Sequence, residues 1–267
     1  MKYLLNHLGQ IERDISYRKP ILLLDYDGTL TPIVQTPDLA VLSEDMLSLL
    51  RRLESDRRFV IGIISGRSLS DVKSKVGLVG IWYAGNHGME IGYQNKVFIH
   101  PDAKRRMPVI NRICSYLRPL VERYEGTIVE DKGLTASVHY RMVSEYDIPK
   151  IKSIVESAIE PFSENRDILL THGKMVLEIR PDIPWDKGKA VLWLLNNIGA
   201  NFTDEYLIMY LGDDRTDEDA FRVLSGRGIT VLVSSKDIES DAEYILFGVD
   251  DVKKFLERLT RLKTSVL

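Results

Sequence analysis

The chain has 267 residues, 44% of them apolar and 28% charged, the balance of a globular protein with a buried core. That composition excludes intrinsic disorder, collagen-like repeats and coiled coil, and the length allows one large domain or two of modest size. Acidic residues outnumber basic ones 39 to 36, and the net charge of −3 is spread along the chain, so no basic block invites nucleic acid.

The first 18 residues mix polar and apolar positions at helical spacing without a long apolar run, which predicts no signal peptide. Short Ile-, Leu- and Val-rich runs then follow at 21–24, 59–64, 81–84, 206–211, 229–233 and 244–247. Such runs read as strands covered on both faces. Ser43 can cap a helix carrying Met46, Leu47, Leu50 and Leu53 on one stripe. Asp186 can cap another, with Ala190, Val191, Leu194, Leu195 and Ile198 facing inward and Gly199 as its stop, and Asp250 opens the last. Strand and helix in alternation predict an α/β fold, a Rossmann-like parallel sheet flanked by helices. The most apolar stretches, 59–64 and 76–85, fall well short of the ~18 residues a membrane span needs. The expectation is a soluble, cytoplasmic, monomeric protein without membrane or nucleic-acid partners.

Between about 104 and 180 the rhythm changes to helix, strand, strand, helix, strand, strand. The helices are expected near 108–124 and 146–162, and the strands near 127–130, 136–140, 168–171 and 176–179. Lys132-Gly133 and His172-Gly173 offer each strand pair a short turn, so two hairpins are expected. The expected division is a core of 1–103 and 182–267 with an inserted α+β unit at 104–181. The basic run at 104–106 reads as a solvated helix start, and the single cysteine, Cys114, as a small core residue. Trp82, Trp185 and Trp193 read as packing residues, and His7, His100 and His172 have no role assigned by their surroundings.

Several residues at expected strand ends point to chemistry. Asp25 and Asp27 follow the first strand in DYDGTL, where a period of two puts both carboxylates on one side of an extended backbone. Carboxyl ends of strands are where open α/β sheets bind ligands. The second strand ends in Ser65-Gly66-Arg67, with Ser68 able to cap the next helix and backbone N–H groups available to a phosphate. GDDRTDEDAF, at 212–221, crowds Asp213, Asp214, Asp217, Glu218 and Asp219 after the fourth core strand. Asp217, Glu218 and Asp219 can be explained as an acidic helix start, whereas Asp213 and Asp214 cannot. Carboxylates converging on one sheet edge, without a His/Cys set, call for a hard cation, Mg2+ first. Lys187 sits at the start of a helix, a poor place for a cation, so function explains it better than stability.

Asp25-x-Asp27-Gly-Thr, Ser65, Lys187 and Gly212-Asp213-Asp214, in that order, resemble the four motifs of the haloacid dehalogenase-like phosphohydrolases. The resemblance covers the chain from about residue 19 onward. GNHG at 85–88, VEDKG at 129–133, HYR at 139–141, LEIRP at 177–181 and GDDRTDEDAF are further similar to the trehalose-6-phosphate phosphatases. The resemblance implies Mg2+-dependent hydrolysis of a sugar phosphomonoester through an aspartyl-phosphate. Asp25 would be the nucleophile and Asp27 the general acid and base, while Ser65 and Lys187 would hold the phosphoryl oxygens. The metal would fall to Asp25, the Asp27 carbonyl and Asp213, supported by Asp217 or Asp214. The inserted unit would be a mobile cap that supplies Glu130, Lys132, His139, Arg141 and Glu178 to the sugar, with Arg67, Asn86 and His87 on the core side. Phosphatases of mannosyl-3-phosphoglycerate or sucrose phosphate, and an inactive sugar-phosphate-binding regulator, are the alternatives.

Overall fold

The computed structural model describes residues 1–262 except 165, 201 and 237. The first half of the core runs β1 (Lys2–Tyr3), α1 (Leu8–Tyr17), β2 (Lys19–Leu24), α2 (Glu44–Ser55), β3 (Val60–Ile64), α3 (Leu69–Val76), β4 (Trp82–Gly85), β5 (Glu90–Tyr93) and β6 (Lys96–Ile99). The middle follows as α4 (Pro101–Val121), β7 (Ile128–Asp131), β8 (Ala136–His139), α5 (Ile148–Glu164), β9 (Ile168–Gly173) and β10 (Val176–Pro181). The chain closes with α6 (Lys187–Ile198), β11 (Tyr206–Gly212), α7 (Glu218–Leu224), β12 (Ile229–Val233), β13 (Tyr244–Leu246) and α8 (Val249–Thr260).

The nine-stranded sheet has the order β1-β13-β12-β11-β2-β3-β4-β5-β6. Every pairing from β1 across to β4 is parallel, and β5 turns antiparallel to β4. The chain builds outward from β2 through β3 to β4, then returns to lay β11, β12 and β13 on the other flank. The order therefore reverses between β2 and β11, the place where an α/β sheet opens a ligand site at its carboxyl edge. Leu22, Leu23 and Leu24 are fully buried, which stabilises the fold by about 1.5–3 kcal/mol per side chain. Ile21 and Leu23 join Ala190, Val191, Leu194, Leu195 and Phe221 of α6 and α7 in one apolar cluster. Three helix caps fall where expected, Ser43, Ser68 and Asp186 accepting from the backbone N–H of Met46, Asp71 and Lys189, whereas α8 opens at Val249 behind Gly248 rather than at Asp250. Gly199, with φ of 81°, closes α6. The β5–β6 hairpin is an addition to the expected pattern. Its backbone turns beside Gln94, at φ of 50°, without the glycine that marks most such turns.

The chain divides into two compact units, one of 1–33, 40–98 and 185–267 and one of 34–39 and 99–184. In the second, α4 and α5 cover one face of an antiparallel sheet of order β7-β8-β10-β9. Its core is Ile110, Ile113, Cys114, Leu117, Ile151, Val155 and Ile159 against Val129, Val138, Leu177 and Ile179. Two expectations are corrected here. Helix α4 starts at Pro101, not 108, because Pro101 takes the favoured first-turn position and the His100 ring accepts from the Asp102 N–H. The second hairpin turns at Lys174-Met175, because Gly173 pairs directly with Val176 and Met175 takes φ of 65°. His172 and Gly173 belong to the strand.

Candidate active site

Asp25 stands one residue beyond β2, its N–H donating to the Leu211 carbonyl of β11 at 2.9 Å. The chain then folds on itself: the Gly28 N–H reaches the Thr31 carbonyl at 2.7 Å, with Gly28 at φ of 88°. That glycine is required twice. Its φ suits no side chain, and a Cβ would sit 2.0 Å from Asp213 Oδ2. The Asp213 carboxylate is thus packed against the Asp27–Gly28 backbone.

Lys187, the first residue of α6, is 3% exposed and donates to Asp25 Oδ1 at 2.8 Å and Asp217 Oδ1 at 2.7 Å. The two carboxylates offset the unfavourable helix N-terminus and keep the ammonium protonated: burial opposes its charge, but Asp217 and Asp25 raise its pKa well above the ordinary lysine value. Burial pushes Asp25 well above the usual carboxylate range, Lys187 opposing and Asp217, Asp213 and Asp214 adding to the rise. Asp214 goes the other way. Burial would raise it, but Lys187 and the hydrogen bonds from Thr216 hold it low. Asp217 is wholly buried rather than part of a solvated acidic helix start. Its Oδ1 also accepts from the Tyr210 hydroxyl at 2.6 Å, and its Oδ2 from the N–H groups of Asp213 and Asp214.

The ends of β3 and β4 form the second wall. Arg67 is buried and grips Asp27 with two parallel bonds, Nε to Oδ2 at 2.7 Å and Nη2 to Oδ1 at 2.8 Å. Its Nη1 donates to Asp71 at 2.6 Å, and its guanidinium lies 5.3 Å from the Tyr26 ring centre. Burial works against that charge, and the two aspartates more than compensate, so its pKa is raised. Ser65 Oγ accepts from the Arg67 N–H, and the Ser65 carbonyl from the His87 N–H. Asn86 and His87 hold φ of 48° and 56° while buried, a backbone state that costs a non-glycine residue about 1–3 kcal/mol and persists where surroundings enforce it. The Asn86 amide is tied to Glu90 Oε1 at 2.6 Å, which also caps the Leu69 N–H.

The remaining candidates stand on the second unit. Glu130, Ser137, Glu178 and Thr171 occupy one cross-strand row of its sheet, on the face opposite the helix-covered residues Val129, Val138 and Leu177. His139 meets Glu130 at 2.7 Å and Lys132 meets Glu178 at 3.8 Å. Arg141 stands apart from these pairs, donating to the Lys174 carbonyl.

The trehalose-phosphatase family model matches residues 23–253. The chain belongs to the trehalose-phosphatase family. Trehalose-phosphate phosphatase B of Arabidopsis thaliana is 37% identical over 274 residues, covering 98% of this chain and 72% of that one. Probable trehalose-phosphate phosphatase G of the same plant is 39% identical, covering 91% and 69%. Among solved structures, a trehalose-6-phosphate phosphatase related protein superposes with a TM-score of 0.78 at 26% identity, covering 91% of this chain and 97% of that one.

Within this trehalose-phosphatase family chain, carboxylate oxygens of Asp25, Asp213 and Asp217 lie within 4.8 Å of one another. Three buried carboxylates around one ammonium leave negative charge in excess, and the donors are all oxygen. A hard divalent cation fits that set. Three residues that shape the site carry no sequence signal of their own: Tyr210 inside a strand, and Asp71 and Glu90 at ordinary polar positions. Gly212 belongs to the fourth motif, and packing requires it. A Cβ on Gly212 would lie 2.2 Å from Asp217 Cγ.

Proposed function

We propose that this chain hydrolyses trehalose 6-phosphate to trehalose and inorganic phosphate, with the chemistry in the first unit and the choice of sugar in the second. The observation that carries the reading is the Lys187 ammonium bonded to Asp25 and Asp217, beside Asp27 held by Arg67. A lysine that orients a buried carboxylate at the carboxyl edge of β2 makes Asp25 a positioned nucleophile.

In the first step an Asp25 oxygen attacks phosphorus, and the bond from phosphorus to the sugar oxygen breaks. Asp27, entering the step protonated and with one oxygen turned from Arg67, gives the sugar oxygen its proton. In the second step Asp27 takes a proton from water as the water attacks phosphorus, and Asp25 is released with inorganic phosphate. Lys187 has three N–H bonds, two of them directed at Asp25 and Asp217, so the third can meet a phosphoryl oxygen together with the Ser65 hydroxyl. A magnesium ion held by Asp25, the Asp27 carbonyl and Asp213, with Asp217 and Asp214 behind them, would offset the charge of the transferring group. On the second unit, Glu130, Lys132, His139, Arg141 and Glu178 bind the sugar. Arg67, Asn86 and His87 shape the core side, Arg67 by holding Asp27. The chain acts as a monomer in the cytoplasm. Among the described residues no helix is long and apolar enough to cross a membrane.

Phosphate release from a panel of sugar phosphates, with and without magnesium, tests the reading. Trehalose 6-phosphate should lead the panel, with an acid-stable phosphoryl group on the protein after a single-turnover quench. Preference for sucrose phosphate or mannosyl-3-phosphoglycerate would replace the substrate, and no release from any ester would replace the reaction.

A further inference from the structure

Four donors of the chain itself close on the Asp217 carboxylate. Lys187 Nζ at 2.7 Å and the Tyr210 hydroxyl at 2.6 Å donate to Oδ1, and the N–H groups of Asp213 at 3.0 Å and Asp214 at 3.1 Å donate to Oδ2. A carboxylate offers about four acceptor sites, so these four bonds occupy them, and Asp217 serves the cation set through Lys187 and the Asp213 backbone rather than as a direct ligand. Asp217 is a bracket: one oxygen fixes the ammonium that faces Asp25, and the other fixes the backbone that carries Asp213. Three of the four donors lie on groups the reaction uses. Tyr210 is the fourth. It is wholly buried on β11, edge-on to Phe221 with ring centres 5.8 Å apart, and its hydroxyl is bonded to the bracket alone among the reaction's groups.

We propose that Tyr210 is a positioning residue, whose hydroxyl holds Asp217 in the one orientation that serves Lys187 and Asp213 together. The inference rests on the phosphatase reading above. Without the hydroxyl, Lys187 is the single donor to Oδ1 and is drawn toward Asp217, away from Asp25. The carboxylate is also released to turn about its Cβ–Cγ bond, which loosens its grip on the Asp213 and Asp214 N–H groups. Water does not restore the bond. Removing one phenolic oxygen from a fully buried site opens less than the ~30 Å³ share of a water molecule. The same hydroxyl has no route to the substrate except through Asp217, so its loss should lower kcat and weaken magnesium while leaving KM for a small ester in place.

The test compares Tyr210→Phe with Tyr83→Phe, a buried tyrosine of the same unit whose hydroxyl bonds to the Leu78 backbone at 2.7 Å. A buried acceptor stripped of its partner costs ~1–3 kcal/mol, so kcat for a small aryl phosphate should fall roughly ten- to a hundredfold in Tyr210→Phe, with KM within about twofold. Calorimetric titration of the substrate-free protein should show magnesium binding weakened about fivefold or more. Tyr83→Phe should lower Tm and leave kcat and magnesium affinity alone. Asp217→Asn should show both deficits, and adding Tyr210→Phe to it should change kcat by no more than about twofold. The inference is overturned if Tyr210→Phe behaves like Tyr83→Phe, or if the two substitutions multiply. If wild type releases phosphate from no ester, the phosphatase reading fails, and the magnesium titration still decides the role of Tyr210.

Discussion

Two polar clusters of this chain are built in opposite ways. In the first unit, Lys187, Asp25 and Asp217 have side chains 3%, 6% and 0% exposed and are locked at 2.7–2.8 Å. On the sheet of the second unit, His139 and Glu130 are 20% and 25% exposed, and Lys132 and Glu178, more sheltered at 8% and 16%, meet only at a loose 3.8 Å. Breaking a buried ionic set strands a charge and costs ~3–5 kcal/mol, so the first cluster holds its side chains in place while Asp25 reacts. Lys132 and Glu178 meet beyond hydrogen-bond distance, and His139 and Glu130 are partly open to solvent, so these pairs exchange a partner for a sugar hydroxyl at lower cost than the locked cluster. Rigidity suits the groups that stabilise a transition state, and exchangeability suits the groups that choose a substrate.

The largest expected effect comes from breaking the rigid cluster at its nucleophile. Asp25→Asn should abolish turnover in rapid-quench assays, because an amide neither attacks phosphorus nor balances Lys187. Near wild-type turnover in that variant would remove the covalent route. Magnesium removal should come next: chelation with EDTA should silence the enzyme and added magnesium restore it, with Asp213→Ala needing far more metal or failing. Full activity in metal-free buffer would contradict the reading of the carboxylate set. Asp27→Asn should retain a smaller residue of activity, since general acid catalysis contributes ~10²–10⁴ in rate and the backbone at 27 is unchanged. An activity within tenfold of wild type would move the acid and base role to another group.

Much of this contrast was legible in the sequence, and the part that was not has physical reasons. Strand ends were readable because buried parallel strands are continuous apolar runs, which placed Asp25, Ser65 and Asp213 at one sheet edge. The β5–β6 hairpin was not, since Gln94 turns it without a glycine. By charge pattern Asp217 is one of three helix-start carboxylates, and apart from the family resemblance only burial separates it from Glu218 and Asp219. Tyr210, Asp71 and Glu90 act through contacts 7, 4 and 4 residues away, onto Asp217, Arg67 and Asn86, and their identities are ordinary for a strand interior or helix start. The second unit shows the reverse. Its candidate residues are indicated by resemblance, while the strand register that sets Ser137 between Glu130 and Glu178 appears only once the sheet is formed.

The division of labour is tested most directly by kcat/KM for trehalose 6-phosphate and for a small aryl phosphate, measured side by side in wild type and Lys132→Ala, with Glu178→Ala as the second arm. Lys132 and Glu178 belong to the exchangeable cluster, and no step of phosphoryl transfer uses them. A sugar hydroxyl left without its partner costs ~1–3 kcal/mol, so kcat/KM for trehalose 6-phosphate should fall roughly ten- to a hundredfold. The small ester makes no such contact and should be hydrolysed at close to the wild-type rate. Equal losses on both substrates, or no loss on either, would contradict the account.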